Sequence, residues 1–295
     1  MSKGGAYSRI GHQERPEFRG GIGSYNPQSD FSNAILSACA FSRFKSCKVI
    51  EFLDLMAAAG KVGKEIIEPH AKKTGKNVKI SFNDVREEPL LKATDDPERR
   101  IACDVKEIAD HTSLVFDIVL ARYVIKDIPK EQQRKVFEEI KDILMVDAWL
   151  RGRLIVADMY TSLASQKAVN LVHSKKQEFA GRKPENEGVC HIPTLAKWKN
   201  YALGTDFSSA RVTKRTINPV DTQKGWQGQF GKISPEDEAR IISELNKVIA
   251  SACEQWPSFA REYNVRVSRE SGVITNVKLD FPIMVMVAEA SGKLL

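Results

Sequence analysis

A doubly wound α/β fold around a mostly parallel sheet is predicted for this chain by three observations. Between residues 48 and 159, short apolar runs alternate with segments of helical periodicity. The runs are continuously apolar rather than alternating apolar and polar, as in strands covered on both faces. Three successive runs also close on an acidic residue, Asp54, Asp84 and Asp104, which lines one edge of the sheet with carboxylates.

Taken in order, the strands are read at residues 48–55 (KVIEFLDL), 78–82 (VKISF), 100–103, 116–121 and 153–157. A helix is predicted from Pro129, because Val136, Ile140, Ile143 and Leu144 keep the i, i+4, i+7, i+8 spacing of one apolar face. Pro129 suits a first turn, where its missing N–H would have no partner in any case. Residues 160–205 read as polar helices interrupted by a Gly/Pro/Asn-rich loop at 181–188 (GRKPENEG). A strand is expected at 210–217 and a loop at 218–233, which holds Pro219, Gly225, Gly228 and Gly231. Ser234 is read as the cap of a second helix, with Pro235 and the acids Glu236, Asp237 and Glu238 in its first turn. Its stripe of Ile241, Leu245, Val248 and Ala252 offers either a dimer surface or a cover for the sheet, and Pro257 ends it. Residues 266–279 suit a hairpin turning at 270–272, and 283–288 (IMVMVA) a buried strand. The expected organisation is an N-terminal arm and helix (1–47), a core of 48–217 completed by 281–290 with a lid at about 160–205, and an insertion at 218–280 carrying the helix 234–256.

With 295 residues, 42% hydrophobic and 28% charged, the composition suits a globular protein and excludes collagen-like and wholly disordered classes. No run approaches the ~18 apolar residues that span a bilayer, and the polar, glycine-rich start lacks the apolar centre of a secretory signal. A cytoplasmic location without membrane attachment is therefore expected. Five cysteines, with no CxxC pair and no close Cys/His quartet, argue against a disulfide scaffold and a structural zinc site, so no metal is expected. The net charge of +7 is carried by the flanks. Residues 1–47 hold 6 basic against 3 acidic side chains and 160–233 hold 12 against 5, while 48–159 hold 20 against 21.

The first strand runs into a turn of small residues, Asp54-Leu55-Met56-Ala57-Ala58-Ala59-Gly60. Such a turn at the carboxyl edge of a parallel sheet lets a ligand approach the backbone and the free N–H groups of the next helix. It also serves plain strand-to-helix packing. At the end of the second strand, Asp84 can accept two charge-assisted hydrogen bonds from vicinal ribose hydroxyls, with Val85 beside it. Asp104 is suited to accept from an adenine amino group while Val105 covers the base. Each carboxylate also suits a turn or helix cap, and it is their joint occurrence that points to a nucleoside.

The fourth strand and its sequel carry a resemblance. Phe116-Asp117-Ile118-Val119-Leu120-Ala121-Arg122-Tyr123-Val124-Ile125-Lys126-Asp127-Ile128-Pro129, a helix, and then Gly152-Arg153-Leu154-Ile155-Val156-Ala157-Asp158 closely resemble the FDxVxxxxVxxxxP segment, helix and GGxLxxxD-like strand of class I S-adenosylmethionine-dependent methyltransferases. The resemblance covers about residues 48–217. It extends to 198–212, where Ala202-Leu203-Gly204-Thr205-Asp206-Phe207 looks like the turn before the family's sixth strand, and to the last strand. It implies a seven-stranded Rossmann-like sheet and S-adenosylmethionine as cofactor. Asp54 would then lie near the methionine amino group, Asp84 at the ribose and Asp104 at the adenine, while Arg122 and Tyr123 line the methyl-transfer chamber. Where the family has D-x-G-x-G-x-G, this chain has Met56 and Ala58 in the first two glycine positions, around Ala57, and keeps only Gly60. A side chain there opposes a left-handed backbone by roughly 1 kcal/mol or more, although the Met56 thioether can turn aside into the core.

Methyl transfer from a sulfonium is an in-line displacement in which the protein orients the acceptor and excludes water. An oxygen or carbon acceptor also wants a general base. His173 and His191, in the segment where the family commonly places a substrate lid, are the candidates, with Tyr123 beside them. The basic residues Lys167, Lys175, Lys176, Arg182, Lys183, Lys197 and Lys199 suit either an anionic acceptor or a solvated face. No Asp/Asn-Pro-Pro-Tyr motif ends the fourth strand, which favours a small-molecule acceptor over nucleic acid. A nicotinamide oxidoreductase would need G-x-G-x-x-G after the first strand, and residues 54–63 lack it. The alternatives left open are a methyltransferase-like binding or assembly protein without catalysis and an RNA or protein methyltransferase.

Overall fold

The computed structural model describes residues 30–44, 47–146, 151–179, 191–222 and 233–291. Strands β1 (Ile50–Leu55), β2 (Val78–Asp84), β3 (Arg100–Ala102), β4 (Ile118–Arg122) and β5 (Arg153–Met159) pair in parallel in the order β3-β2-β1-β4-β5. Beyond β5 the sheet turns antiparallel through β8 (Val273–Ala290) and ends on β6 (Phe207–Asp221). The short β7 (Arg266–Glu270) pairs with the first part of β8. The path β3-β2-β1-β4-β5-β8-β6 has the expected seven strands, mostly parallel, with β7 as an addition.

The apolar runs become strands because both their faces are covered. Ile50, Phe52, Ile118, Leu120, Ile155 and Ala157 face one layer, formed by α1 (Asp30–Cys39) and the segment through α2 (Glu68–Lys73). Leu53, Leu55, Val119, Ala121, Leu154 and Val156 face the other, where α4 (Gln133–Asp142) and α6 (Leu195–Leu203) pack. All four residues of the stripe Val136, Ile140, Ile143 and Leu144 are buried. The α-helix itself begins at Gln133 rather than at Pro129, whose carbonyl instead accepts the N–H groups of Gln132 and Gln133 in a preceding turn. The helix after β1 contains a π-helical turn, Gly63–Ile67, directly before Pro69. Proline has no N–H to give to the carbonyl four residues earlier, so the winding loosens there.

The second layer of helices builds a cap. Helix α5 (Gln166–Phe179) packs on α7 (Pro235–Gln255), which is followed by α8 (Pro257–Glu262). Ser234 caps α7 by accepting the Asp237 N–H at 3.0 Å. Ile242, Leu245, Ile249 and Ala252 are buried in a cluster with Val169, Phe259, Tyr263, Leu279 and Ile283, and Ile241 and Val248 pack against it. The α7 stripe thus covers the chain's own cap, so its periodicity gives no argument for a dimer. Residues 218–221, read as loop, continue β6 because the lower half of β8 offers them a pairing edge. The loop expected at 181–188 lies outside the described residues. No helix among the described residues is long and apolar enough to cross a membrane.

Candidate active site

The carboxyl ends of the parallel strands carry the candidate residues in a staggered row. Register places Asp54 beside Phe82 and Asp84 beside Ala102, so each acid stands about two residues beyond the last. Two-residue alternation puts Ile50, Phe52 and Asp54 on one face of β1, and Ile118, Leu120 and Arg122 on the same face of β4. Asp54 is buried and accepts the Gly63 N–H at 3.2 Å, which ties the start of the next helix to the strand. Burial pushes its carboxyl up to about 6, against the attraction of the Arg122 guanidinium.

The turn after β1 keeps the shape that a glycine loop takes. Met56 and Ala58 both stand in the left-handed region, at φ +48° each, and Gly60 follows at φ +68°. Side chains at the first two positions cost roughly 1–2 kcal/mol apiece. Met56 packs against the core cluster of Leu53, Leu55 and Val105, and Ala57 against Phe82 and against Leu90 of α3 (Glu87–Ala93). At Gly60 a Cβ would meet the Phe82 ring at 2.7 Å and the Ala93 Cβ at 2.9 Å, so close approach as well as φ requires glycine.

Asp84 is buried, accepts the Arg86 N–H at 3.1 Å and lies 3.7 Å from the Arg86 guanidinium. Val85 beside it is 49% exposed. Asp104 caps the following turn, accepting the Lys106 N–H at 3.0 Å, and its second oxygen lies 3.2 Å from Lys106 Nζ. Val105 is buried in the core. A ribose or adenine would therefore meet carboxylates that already have one local partner each and keep further lone pairs.

Tyr123, directly beyond β4, departs furthest from ordinary packing. Its backbone is left-handed (φ +56°), and its hydroxyl is buried without a hydrogen-bond partner among the described residues. The Arg122 guanidinium lies 5.5 Å and Lys126 Nζ 5.8 Å from the ring centroid, and Phe31 of α1 packs on the ring at 5.6 Å. Burial holds the phenol far above its usual range, so it remains protonated.

Of the two histidines, His191 is fixed near this edge. Its N–H donates to the Lys126 carbonyl at 3.0 Å, its own carbonyl accepts from Gln133 Nε2 at 2.7 Å, and its ring lies 3.4 Å from Gln166 Nε2. Burial, then Lys130 and Lys197, lower its pKa and keep it neutral at pH 7. His173 lies on α5, half-buried. The basic lid residues within the described chain are largely engaged: Lys175 pairs with Glu178 at 2.6 Å, and Lys197 sits over the Tyr201 ring. Trp198 and Tyr201 are core, donating to the Met159 carbonyl and to Gln133 Oε1 respectively.

Two residues were missed by sequence reasoning. Asn83 is wholly buried between the β1 turn and the end of β3. Asp158, at the end of β5, is fully buried and accepts the Lys126 and Met159 N–H groups at 3.4 and 2.7 Å. Asp158 had a signal, since it is a further acid closing an apolar strand. Asn83 had none apart from its place beside Asp84.

No protein-family model and no curated protein matches the sequence. Solved structures match in fold. A Bacillus halodurans protein assigned as a methyltransferase superposes with a TM-score of 0.59 at 14% identity, covering 89% of this chain and 99% of that one. The YcgJ protein of Bacillus subtilis gives 0.57 at 15% identity, covering 89% and 99%. The fold is that of the class I S-adenosylmethionine-dependent methyltransferases. A Galdieria sulphuraria protein assigned as a sarcosine dimethylglycine methyltransferase shares it too, at a TM-score of 0.55 and 12% identity over 88% and 85% of the two chains. In this methyltransferase fold the β1 turn and the row of strand-end acids stand at the carboxyl edge, where open α/β sheets take ligands.

Proposed function

We propose that the chain is an S-adenosylmethionine-dependent methyltransferase whose acceptor is a small anionic molecule held between the end of β4 and the cap. The observation that carries this reading is the left-handed backbone at Met56 and Ala58. Strain of this kind clusters where function uses it, and here two left-handed residues stand in one turn at the edge where open α/β sheets take ligands. The residues present suit the cofactor: a turn that brings backbone close, a glycine at the one position where a Cβ would collide with Phe82 and Ala93, and carboxylates in a row.

S-adenosylmethionine supplies an electrophilic methyl group on a sulfonium. Asp84 would hold the ribose hydroxyls, Asp104 the adenine amine and Asp54 the ammonium group, with Met56, Ala57, Ala58 and Gly60 forming the floor and Val85 and Val105 the flanks. Arg122 and Lys126 favour an acceptor that carries a carboxylate or phosphate. The Tyr123 hydroxyl, protonated and without a partner among the described residues, is available to that acceptor as a donor. His191, neutral and fixed by backbone bonds, is better placed than His173 to take a proton from an oxygen acceptor.

Titration calorimetry with S-adenosylmethionine and S-adenosylhomocysteine tests the reading, alongside thermal unfolding. Binding with a rise in melting temperature is expected, since a ligand of the native state stabilises it. No heat and no stabilisation with either compound would overturn the reading in favour of a non-catalytic binding protein. If binding is found, a mass-shift screen of metabolite, RNA and protein acceptors decides the substrate class.

A further inference from the structure

The β1 turn holds Met56 and Ala58 in a conformation that residues other than glycine adopt roughly five to thirty times less readily than the right-handed one. Two such residues in one turn make its shape rare unless neighbouring groups over-determine it. The second half of the turn closes on itself, with the Gly60 N–H donating to the Ala57 carbonyl at 2.9 Å. The first half is held from outside by one residue. The Asn83 carbonyl accepts the Ala57 N–H at 2.7 Å, and its side-chain oxygen accepts the Met56 N–H at 3.4 Å. Its amide nitrogen donates to the carbonyls of Ile101 and Cys103 at 3.0 and 3.1 Å. The side chain is thus anchored on β3 at one end and presents an acceptor to the turn at the other, with no exposure to water that could compete for either bond.

We infer that Asn83 is a positioning residue that clamps the β1 turn in the left-handed shape which glycines at positions 56 and 58 would reach unaided, so that adenosyl binding in this chain depends on Asn83. Its link to binding rests on the functional reading above; its link to the shape of the turn does not. The physical reason is a division of labour. A glycine turn samples both hands of the backbone about equally and needs little outside help, whereas a Met/Ala turn released from its acceptor relaxes to the right-handed basin and loses the geometry that faces the ligand.

The test is a two-by-two cycle on the full chain: wild type, Asn83→Ala, Met56→Gly/Ala58→Gly and the combination, each titrated with S-adenosylhomocysteine and melted. Asn83→Ala keeps the carbonyl bond to Ala57 and removes the side-chain bond to Met56 with its anchor on β3; it is expected to weaken binding about threefold or more in the wild-type background and not measurably in the glycine background. A residue that merely ties off the end of β3 would show the same loss in both backgrounds, and that result would overturn the inference. Should the wild type bind neither cofactor nor product, the functional reading fails but the clamp is still tested by the melts. Asn83→Ala must then lower the melting temperature more in the wild-type background than in the glycine one, and equal shifts overturn the clamp. If Asn83→Ala does not fold, Ala58→Gly alone decides. It removes only a methyl group, and it is expected to raise the melting temperature; an unchanged or lowered value would mean the turn holds no strain to be clamped.

Discussion

At the amino edge of the sheet Asp117 accepts the Glu51 N–H at 2.9 Å, Glu51 pairs with Arg99, and the buried Arg153 meets Glu289 at 2.9 Å with Arg43 on the same carboxylate. At the carboxyl edge of the same strands the Tyr123 hydroxyl has no partner among the described residues, burial raises the Asp54 carboxyl, and Met56, Ala58 and Tyr123 stand in the left-handed region. Elsewhere most left-handed residues fall where they are readily tolerated, as at Asp206 and Asn264, or in the β7–β8 turn at Ser271 and Gly272; Ala40, just after α1, is the exception. The contrast separates an edge closed by ion pairs within the chain from one where burial and backbone strain are less fully offset. One edge holds the sheet together, and the other is built at the expense of stability, as functional sites commonly are.

That contrast can be broken at several points. The largest effect is expected for Arg153→Met, which leaves Glu289 largely buried with only the more exposed Arg43 and Arg211 beside it. It should lower stability in urea by about 3 kcal/mol without changing the affinity for S-adenosylhomocysteine; an equal loss of affinity would show that the two edges are coupled.

Next comes Asp54. Because its native pKa stands near 6, above the value of an unfolded chain, the native state keeps a proton that the unfolded state gives up between about pH 4 and 6. Stability from this group is therefore present in full below about pH 4 and is lost as pH rises to 6, by about 2 kcal/mol. Subtracting the pH profile of Asp54→Asn from that of the wild type should reveal this fall, and parallel profiles would place Asp54 in a wetter setting than the structure does. Binding of a cation beside it should favour the ionised form, so affinity for S-adenosylmethionine should rise from pH 5 to 7.

Asp84→Ala should weaken binding of either ligand about tenfold or more, through loss of a charge-assisted partner, while lowering stability by no more than about 1 kcal/mol. The smallest effect is on Tyr123→Phe. Removing a hydroxyl that has no partner among the described residues should leave stability unchanged or raise it by less than about 1 kcal/mol. Turnover, once an acceptor is identified, should fall while cofactor affinity holds. A clear loss of stability would reveal a partner for that hydroxyl within the protein.

Much of the fold was legible because its signals are local. Continuous apolar runs covered on both faces mark β1, β2, β4 and β5, and the i, i+4, i+7 stripe marks α4 even though its entry turn shifts the first helical residue from Pro129 to Gln133. The extension of β6 to Asp221 was not legible, because polar residues become a strand there only through the partner edge of β8. In the candidate site, the acids could be named from their positions at strand ends. Tyr123 could be named from the family resemblance, but its left-handed backbone and the roles of the buried Asn83 and Asp158 could not, since backbone hand and burial are set by neighbours distant in the chain.

Strand β8 is eighteen residues long, roughly 60 Å, while its neighbour β5 uses seven. The surplus reaches past the parallel sheet and carries β7, against which the cap elements fold. The cap is thereby a graft on an overhanging beam: its helices can lengthen, shrink or be exchanged without re-registering the five parallel strands, leaving the strand-end row unchanged beneath it.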